Sequence, residues 1–376
     1  MVSKVLGSVK AYDWGDPDTI REFARIDAKE DRIAELWFGT HPSGPSQTED
    51  GGSLLDLIHS QTNNSLAPRS SGLQGGLPFL VKLLSAERAL SIQVHPSLQQ
   101  ALEGFRREEE LGIAPDSAVR TYNDANHKPE LLLALSPFKA MNGFRRLSET
   151  MSLLSEIGAR TFLDFWRSES VRPNLEAVIP WLLEIEHNSS LIKLTVDEIS
   201  SSTPSSSLGR FIRRNIIGIA NDYPGDPGIL IAMFLNHVSL RPGQIMKTLP
   251  GTVHAYLEGF GVEVMSNSDN VVRGGLTSKY VDREEFSRVA DFTESSPCII
   301  GELRRSPVTV DSKTTVSGGF SGSSAPGSSM ILNLGEELLV GSLPLARGEA
   351  AWIGKGEAGV DIDSVDSNFL VISTSV

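Results

Sequence analysis

The sequence predicts a mainly β protein that is interrupted by a run of helices. Short alternating apolar segments bounded by Gly and Pro fill residues 1–146 and return after residue 237, and 34 Gly with 20 Pro residues suit many turns. Between them, four apolar segments show helical spacing. We therefore expect a β domain formed by residues 1–146 plus 238–296, a helical domain over 147–237, and a small β sandwich or barrel over 297–376.

The first β region has four recognisable segments. IAELWFGTHPSGPS predicts a strand that runs into a Gly/Pro loop. LPFLVKLLSAERALSIQVHPS holds two apolar runs separated by polar SAER, the pattern of a β-hairpin. The charged, amphipathic SLQQALEGFRREEELG predicts a surface helix with Ser97 as its N-cap, and KPELLLALSPFKAMNGF returns to strand character.

The middle of the chain changes period. Helices are predicted for ETMSLLSEIGARTFLDFW, RPNLEAVIPWLLEIEHN, LGRFIRRNIIGIANDY and DPGILIAMFLNHV, with a Ser-rich loop at residues 200–209. Strands resume with VSLRPGQIMKTLPGTVHAYLEGFGVEVMSN, and the Gly/Ser turns after about residue 297 separate several further short strands.

Composition excludes several classes of protein. The net charge of −13 argues against nucleic acid and anionic membranes as partners, although a local basic pocket could still bind a small anion. The single cysteine, Cys298, excludes an intramolecular disulfide and a cysteine zinc cluster. No signal-peptide pattern or run of 18 apolar residues occurs, so we expect a soluble cytoplasmic protein. Phosphate-loop, H-E-x-x-H, C-x-x-C and G-x-G-x-x-G motifs are missing.

Three polar clusters interrupt the apolar strands. In the first, Gln93 and His95 stand at i and i+2, so that both side chains point to one face of a strand that Pro96 ends. An exposed strand face would explain the same pair. In the second, TYNDANHKPELLLAL, Glu130 enters a buried strand and must be paired, protonated or bound to a metal. A strand-edge charge is the alternative for Glu130.

His127 and Lys128, beside Glu130, are of the right types for proton transfer and anion binding, or are simply solvated loop residues. In the third cluster, over residues 249–280, polar side chains recur through apolar sequence, and a solvated face would explain any one of them. They are His254, Glu263, Asp269, Arg273 and Lys279.

Four of these side chains form a ligand set of imidazole, carboxylate and amide groups. Such donors suit a first-row divalent metal such as zinc, and they leave room for water or substrate. The set consists of Gln93, His95, Glu130 and His254. Spacing in the sequence does not prove that they converge.

The second cluster also carries a resemblance. YNDANHKPE, residues 122–130, resembles the Y-x-D-x-N-H-K-P-E signature of type I mannose-6-phosphate isomerases (phosphomannose isomerases). Residues 254–279 are similar to the family's second signature, from H-A-Y through S-D-N and R to K. YDWG, SIQVHP, YPGDPG and LNHV add support in the same order, so the resemblance spans about residues 12–280.

Departures from the family pattern are small. Ser266 and Gly274 stand where the family usually has alanine, and Ser278 stands where it usually has proline. None removes a polar group, but a more mobile loop near Lys279 would alter substrate breadth.

The resemblance implies a cupin-type (double-stranded β-helix or jelly-roll) barrel that carries one Zn²⁺ per chain, a helical domain, and a second cupin-like domain over 297–376. It implies that the four-residue ligand set above binds the zinc and that Arg273 acts in catalysis. Other residues implied to line the same pocket or to bind substrate are Lys82, Ser91, Lys128, Tyr256, Glu263, Asp269 and Lys279.

The implied reaction interconverts mannose 6-phosphate and fructose 6-phosphate through a cis-enediol, which needs a base near the carbon acid and stabilisation of an oxyanion. His127 and Lys128 are the first choices for the base because they adjoin Glu130, and Glu263 and Asp269 are also chemically suited. Arg273 is a candidate both for phosphate binding and for enediolate stabilisation, and the sequence does not decide between the two roles.

Lys279, Arg273 and Ser91 are the candidates for binding the phosphate. Competing hypotheses are a non-catalytic cupin that binds a sugar or a metal, and an Fe(II) cupin oxygenase. Gln93 as an extra ligand and the phosphate-binding cations argue against the oxygenase. The resemblance further implies a monomer that serves mannose metabolism and GDP-mannose supply.

Overall fold

The computed structural model describes residues 2–61, 76–169, 171–302, 306–319 and 321–374. Its strands form three sheets, of eleven, seven and four strands, and helices occur between strands along the chain. The prediction of a mainly β protein with helices is confirmed. Within the described ranges, no helix is both long enough and apolar enough to cross a membrane.

Strands and short helices alternate before the main run of helices. The strands are β1 (Val2–Leu6), β2 (Ser8–Lys10), β3 (Glu35–Gly39), β4 (Gln47–Thr48), β5 (Phe79–Ala86), β6 (Ile92–Val94), β7 (Glu130–Ala134) and β8 (Phe138–Phe144). The helices are α1 (Thr19–Ala24), α2 (Leu54–Gln61) and α3 (Leu98–Glu110). Ser97 caps α3 through a capping box with Gln100, as the sequence predicts.

Six helices then follow one another along the chain. They are α4 (Leu147–Glu156), α5 (Arg160–Ser168), α6 (Leu175–Leu183), α7 (Ser190–Ser201), α8 (Ser207–Asp222) and α9 (Gly228–Ala232). The sequence analysis assigned no helix to residues 190–201. The predicted helix DPGILIAMFLNHV is wrong in its second half, because the helix ends at Ala232 and a strand begins at Leu235.

The remainder of the chain is nearly all strand. It comprises β9 (Leu235–Leu240), β10 (Gln244–Thr248), β11 (His254–Ser266), β12 (Val272–Gly275), α10 (Arg283–Val289), β13 (Cys298–Glu302), β14 (Val308–Thr309), β15 (Thr314–Gly318), β16 (Ser323–Ala325), β17 (Ser329–Asn333), β18 (Glu337–Val340), β19 (Leu343–Ala346), β20 (Ala350–Ile353), β21 (Val360–Ser364) and β22 (Phe369–Thr374).

The long strand β11 is the axis of the eleven-stranded sheet. On one side of β11, β5 pairs with its second half and β6 with its first residue. On the other side, β7 pairs with its second half and β8 with its first five residues. The predicted hairpin between β5 and β6 is therefore wrong: the chain keeps its direction along β11, and the backbone N–H of Leu90 donates to Tyr256 O. The polar SAER segment is an irregularity in one strand path and not a reversal.

Helices cover one face of the sheet portion that contains β6, β8 and β12. Ile92, Met141 and Val272 from these strands share a core with Phe162 of α5 and Ile216 of α8. Because successive strand residues face opposite ways, the neighbours of Ile92 and Val272 along the chain point away from the helices. This packing directs Gln93 and Arg273 to the other face.

The N-terminal strand joins the C-terminal strands. β1 pairs with β20 on one side and with β4 on the other, within the seven-stranded sheet. Val5 and Trp352 from that sheet share a core with Leu83 and Val264 of the eleven-stranded sheet. The C-terminal part is thus joined to the rest by strand pairing and by a common core.

Gly259 is required where β11 bends. Its φ is +137°, the pairing register with β8 shifts just before it, and an added Cβ would lie 2.6 Å from the Phe138 ring. We expect Gly259→Ala to lower the free energy of unfolding by about 2–4 kcal/mol, measured by urea unfolding. In Gly218→Ala, in α8, the new methyl meets nothing within 4 Å outside its helix, and we expect a gain of about 0.5–1 kcal/mol. Equal urea midpoints for the two variants would contradict this account of the bend.

Candidate metal centre

Strand pairing brings the four predicted ligands to one place. Gln93 of β6 lies opposite His254, the first residue of β11, and His95 follows β6 directly. Glu130 is the first residue of β7, which pairs with the far half of β11. Glu130 lies opposite Met265, whereas His254 begins β11, so this strand must curve along its length to bring the two side chains together.

Two histidines and a carboxylate converge in the interior. His95 Nε2 lies 3.1 Å from Glu130 Oε1, and His254 Nε2 lies 3.3 Å from Glu130 Oε2. One ligand atom from each of the three lies within 4.8 Å of the others, and the side chains are at most 3% exposed. A first-row metal could contact all three donors at once.

The tautomers of both histidines leave their Nε2 atoms free to ligate. His95 Nδ1 lies 2.9 Å from Asn270 O, and His254 Nδ1 lies 2.9 Å from Thr252 O. Because a carbonyl only accepts, each Nδ1 must carry a proton, so that in the neutral ring it is Nε2 that presents a lone pair to the carboxylate. Neither Nε2 has a hydrogen-bond partner in the described part of the chain. Facing lone pairs and a carboxylate are stabilised by a cation between them, so these residues fit a zinc ion.

Charge at this centre also favours metal binding. Burial, with Lys128 next, lowers the pKa of His95 to about 4. Burial raises the pKa of Glu130, but Lys128, whose Nζ lies 3.1 Å from Oε1, and the two histidines together lower it by more, so that this pKa lies well below its ordinary value. A neutral imidazole and an ionised carboxylate are the protonation states that a metal requires.

A cavity of about 510 Å³ adjoins this centre. Most of the predicted site residues line it, namely Lys82, Ser91, Gln93, Lys128, Glu130, Tyr256, Glu263, Asp269, Arg273 and Lys279. His127 does not line it, and its Nε2 lies 3.6 Å from Asp311 Oδ2. Lys128 Nζ lies 3.1 Å from Glu130 Oε1, so Lys128, not His127, faces the metal centre.

One wall of the cavity is a network of buried charges. Lys82 Nζ lies 2.8 Å from Glu263 Oε2 and 3.5 Å from Glu35 Oε1, and the Tyr256 hydroxyl donates to Glu263 Oε1 at 2.8 Å. Burial by itself lowers the pKa of Lys82. The carboxylates of Glu263 and Glu35 together raise it by more, so that the pKa lies well above its ordinary value. Burial and then Glu263 raise the pKa of Tyr256. The wall therefore presents a fixed ammonium and a neutral hydroxyl.

Sequence reasoning missed Glu35 and its partner Trp37, whose Nε1 donates to Glu35 Oε2 at 2.8 Å. Both line the cavity, and Glu35 is 5% exposed. The sequence feature that could have identified Glu35 is its position as a carboxylate inside the apolar run IAELWF. As argued for Glu130, a carboxylate buried in such a run needs a partner.

His41, also missed, orients Asp269. Its Nδ1 accepts from Ser43 N at 3.2 Å, so Nε2 carries the proton and faces Asp269 Oδ1 at 3.3 Å. Burial raises the pKa of Asp269, but the hydrogen bond and charge of His41, with Lys128 and Lys82, together lower it by more, so that the pKa is lowered. Asp269 is thus an ionised carboxylate at the cavity wall.

Two cations at the cavity form no ion pair with the residues that the structure describes. The side chains of Arg273 and Lys279 make neither a hydrogen bond nor an ion pair with the residues described. Burial lowers the pKa of both groups, and Arg273 lowers that of Lys279 further, while the Asp13 carboxylate opposes this only in part. A bound anion would relieve their mutual repulsion.

Comparisons with known proteins agree on one family. A sequence-family profile described as phosphomannose isomerase type I, catalytic domain, matches residues 2–147. Mannose-6-phosphate isomerase of Escherichia coli (strain K12) is 36% identical, over 82% of this chain and 78% of the relative. The Homo sapiens enzyme of that name is 32% identical, over 77% and 73%.

Solved structures of the same family cover all of the chain. A zinc-bound mannose 6-phosphate isomerase superposes with a TM-score of 0.78 at 31% identity, with 100% of both chains covered. The Salmonella typhimurium enzyme, bound to fructose 6-phosphate and zinc, gives a TM-score of 0.78 at 30% identity and the same coverage.

Proposed function

Because the chain belongs to the type I phosphomannose isomerase family, we propose that it interconverts mannose 6-phosphate and fructose 6-phosphate with one bound Zn²⁺. One observation carries the proposal: a buried His/Glu/His centre with two unpartnered Nε2 atoms adjoins a cavity that holds two cations without an ion pair among the described residues. A metal for the sugar oxygens and cations for a phosphate are what this reaction needs.

The proposed metal ligands are Gln93, His95, Glu130 and His254. The geometry of the last three supports this role, and Gln93 lies opposite His254 and lines the cavity. Bound there, zinc would act as a Lewis acid that polarises the sugar oxygens. Asn270 O and Thr252 O hold the two imidazoles in the ligating tautomer.

Lys128 is the proposed base. As a neutral amine, after the ammonium has given up one proton, its Nζ would accept a proton from one of the two reacting carbons and return it to the other. Lining the cavity supports Lys128 over His127, which faces Asp311. Asp269, oriented by His41, is suited to move the hydroxyl proton, and its carboxylate is open to the cavity.

The buried wall orients the sugar. Glu263 and the Tyr256 hydroxyl offer an acceptor and a donor to substrate hydroxyl groups, and Lys82 Nζ, 2.8 Å from Glu263 Oε2, holds that carboxylate in place. At the other side, Arg273, Lys279 and Ser91 bind the phosphate, and Arg273 also stabilises the enediolate.

The finer architecture belongs to the same proposal. Residues 1–146 plus 238–296 form the catalytic cupin-type barrel, 147–237 a helical domain, and 297–376 a second cupin-like domain. Support comes from the long antiparallel paths beside β11 and from the uninterrupted run α4–α9. Strand β1 is shared with the third part. The chain acts as a monomer in the cytoplasm, and light scattering of the purified protein tests the first of these statements.

Two other functions fit less well. A cupin that only binds a sugar or a metal has no need for a lysine and a carboxylate arranged around the cavity beside the metal centre. An Fe(II) oxygenase needs open metal positions and no phosphate-binding cations, whereas Gln93 adjoins the centre and Arg273 faces the cavity.

Removing the metal tests the function directly. We expect a chelator to reduce conversion of mannose 6-phosphate to fructose 6-phosphate to about 1% or less, and one equivalent of Zn²⁺ per chain to restore it. Metal analysis and a coupled assay on the same samples measure both quantities, and circular dichroism verifies that the metal-free chain stays folded. A folded chain that holds one zinc and turns over no substrate would favour the binding protein instead.

A further inference from the structure

The segment YPGDPG, residues 223–228, lies outside the metal centre, yet it carries a buried carboxylate. Asp226 is 4% exposed and forms no ion pair with any described residue. Its Oδ1 accepts from the backbone N–H groups of Gly228 at 2.7 Å and Leu276 at 2.9 Å, and its Oδ2 accepts from Thr277 N at 3.2 Å. One carboxylate therefore ties the end of the helical run to the loop after β12.

The backbone at this junction is closely fitted. A Cβ on Gly228 would lie 2.8 Å from Leu276 N, and one on Gly275 would lie 2.7 Å from Gly228 Cα. Leu276 has a φ of +54°, which residues other than glycine rarely adopt, and it is 1% exposed. The hydrogen bonds that Leu276 N and Thr277 N donate to Asp226 hold that uncommon conformation in place.

The loop that Asp226 holds is part of the cavity wall. Leu276, Thr277 and Lys279 all line the cavity, and the Lys279 ammonium is without a protein partner among described residues. Only one residue separates Thr277 from Lys279. The position of the backbone at Thr277 consequently determines how far the ammonium reaches into the cavity.

The same segment also forms hydrogen bonds with the backbone of Ala89, close to another part of the cavity wall. The Tyr223 hydroxyl donates to Ala89 O at 2.6 Å, and Asp222 Oδ2 accepts from Ala89 N at 3.2 Å. Ala89 precedes Ser91, which lines the cavity, by two residues. Residues 222–228 thus anchor both backbone segments that carry candidate phosphate-binding groups.

We propose that Asp226 is a positioning residue for substrate binding: through Leu276 and Thr277 it places Lys279 where its ammonium meets the phosphate. The inference rests on the proposed function. Asp226 does not line the cavity and does not touch substrate, so its effect on the reaction passes through Lys279.

Asp226→Asn is the most conservative test. The amide keeps an oxygen for Gly228 and Leu276 but turns an N–H₂ donor towards the Thr277 N–H, so only the bond nearest Lys279 is lost. We expect the KM for mannose 6-phosphate to rise about tenfold, with kcat within about twofold and zinc content unchanged. The Kd of inorganic phosphate, measured by calorimetry on the zinc-loaded chain, should rise by the same factor.

Two further variants separate positioning from general stability. In a Lys279→Ala background, Asp226→Asn should change KM by less than about twofold, because the group it positions is gone. Asp366→Asn is the matched control: this carboxylate also accepts two backbone N–H groups, from Glu336 and Asn368, but in the C-terminal part, and its KM should stay that of the wild type. If Asp226→Asn does not fold, Gly228→Ala, which pushes the two backbones apart, should produce the same rise in KM.

A fall in kcat with KM and phosphate Kd unchanged would overturn the proposal, as would an equal rise in KM in the Lys279→Ala background. If the wild-type chain converts no mannose 6-phosphate, the proposed function fails instead. The phosphate Kd values of wild type and Asp226→Asn then still decide whether Asp226 positions Lys279.

Discussion

Glu130→Ala is expected to lose zinc and isomerase activity together. Glu130 is the only anion among the three buried donors, and both Nε2 atoms face its oxygens. Removing it leaves neutral imidazoles and the Lys128 ammonium to meet a dication, so we expect zinc affinity to fall at least about 100-fold. Metal content after dialysis and turnover of mannose 6-phosphate measure the two losses.

The stability of this variant has to be measured alongside. Lys128 is 8% exposed and loses its carboxylate partner, which costs about 3–5 kcal/mol for a buried charge left alone. Glu130→Gln keeps the shape of the side chain and removes only the charge, so it should also lose zinc. Glu258, on the neighbouring strand β11, is an exposed carboxylate that pairs with Lys139 at the surface. The control variant Glu258→Ala should therefore keep zinc and activity. A Glu130→Ala chain that binds one zinc at wild-type affinity would refute the ligand assignment.

Alternation along strands explains why much of the centre could be predicted. Gln93 and His95 share a face because they stand two residues apart, and so do Lys128 and Glu130. His127 lies one residue away from Lys128 in the sequence and faces Asp311 instead of the cavity. Local periodicity is thus a sound guide to which side a residue faces.

Pairing between distant segments could not be obtained in this way. The apolar runs of β5 and β6 look like a hairpin locally, but β11 offers thirteen residues of edge, long enough for both to pair with it in one direction. The energy that decides between the two arrangements lies in contacts with residues some 170 positions away along the chain. Local sequence contains no record of that choice.

The missed groups share a second cause. Each missed group acts on the site through a partner that is remote in sequence. Glu35 pairs with Lys82, His41 with Asp269, and Asp226 with the backbone at Leu276. Each was visible only as a polar residue in an apolar or turn segment. Burial of such a group requires a partner, but its identity appears only once the fold is known.

Arg273→Ala is expected to keep zinc and lose turnover. Arg273 lies on β12 opposite Gln93, lines the cavity, and forms no ion pair within the part of the chain that the structure describes. Since no protein carboxylate competes for it, its charge is available to the phosphate and to the oxyanion that forms during proton transfer. We expect kcat/KM to fall about 10²–10³-fold, with one zinc per chain retained.

How the loss divides between kcat and KM identifies which anion Arg273 serves. An interaction made only with the enediolate lowers kcat, whereas one made equally with the bound phosphate raises KM and leaves kcat unchanged. Arg273→Lys keeps a charge but not the planar fork, so it should recover part of the phosphate binding and less of kcat. Arg241→Ala, which removes an exposed arginine, should leave both parameters at their wild-type values. A normal kcat in zinc-loaded Arg273→Ala would show that Arg273 takes no part in the chemical step and only binds the phosphate.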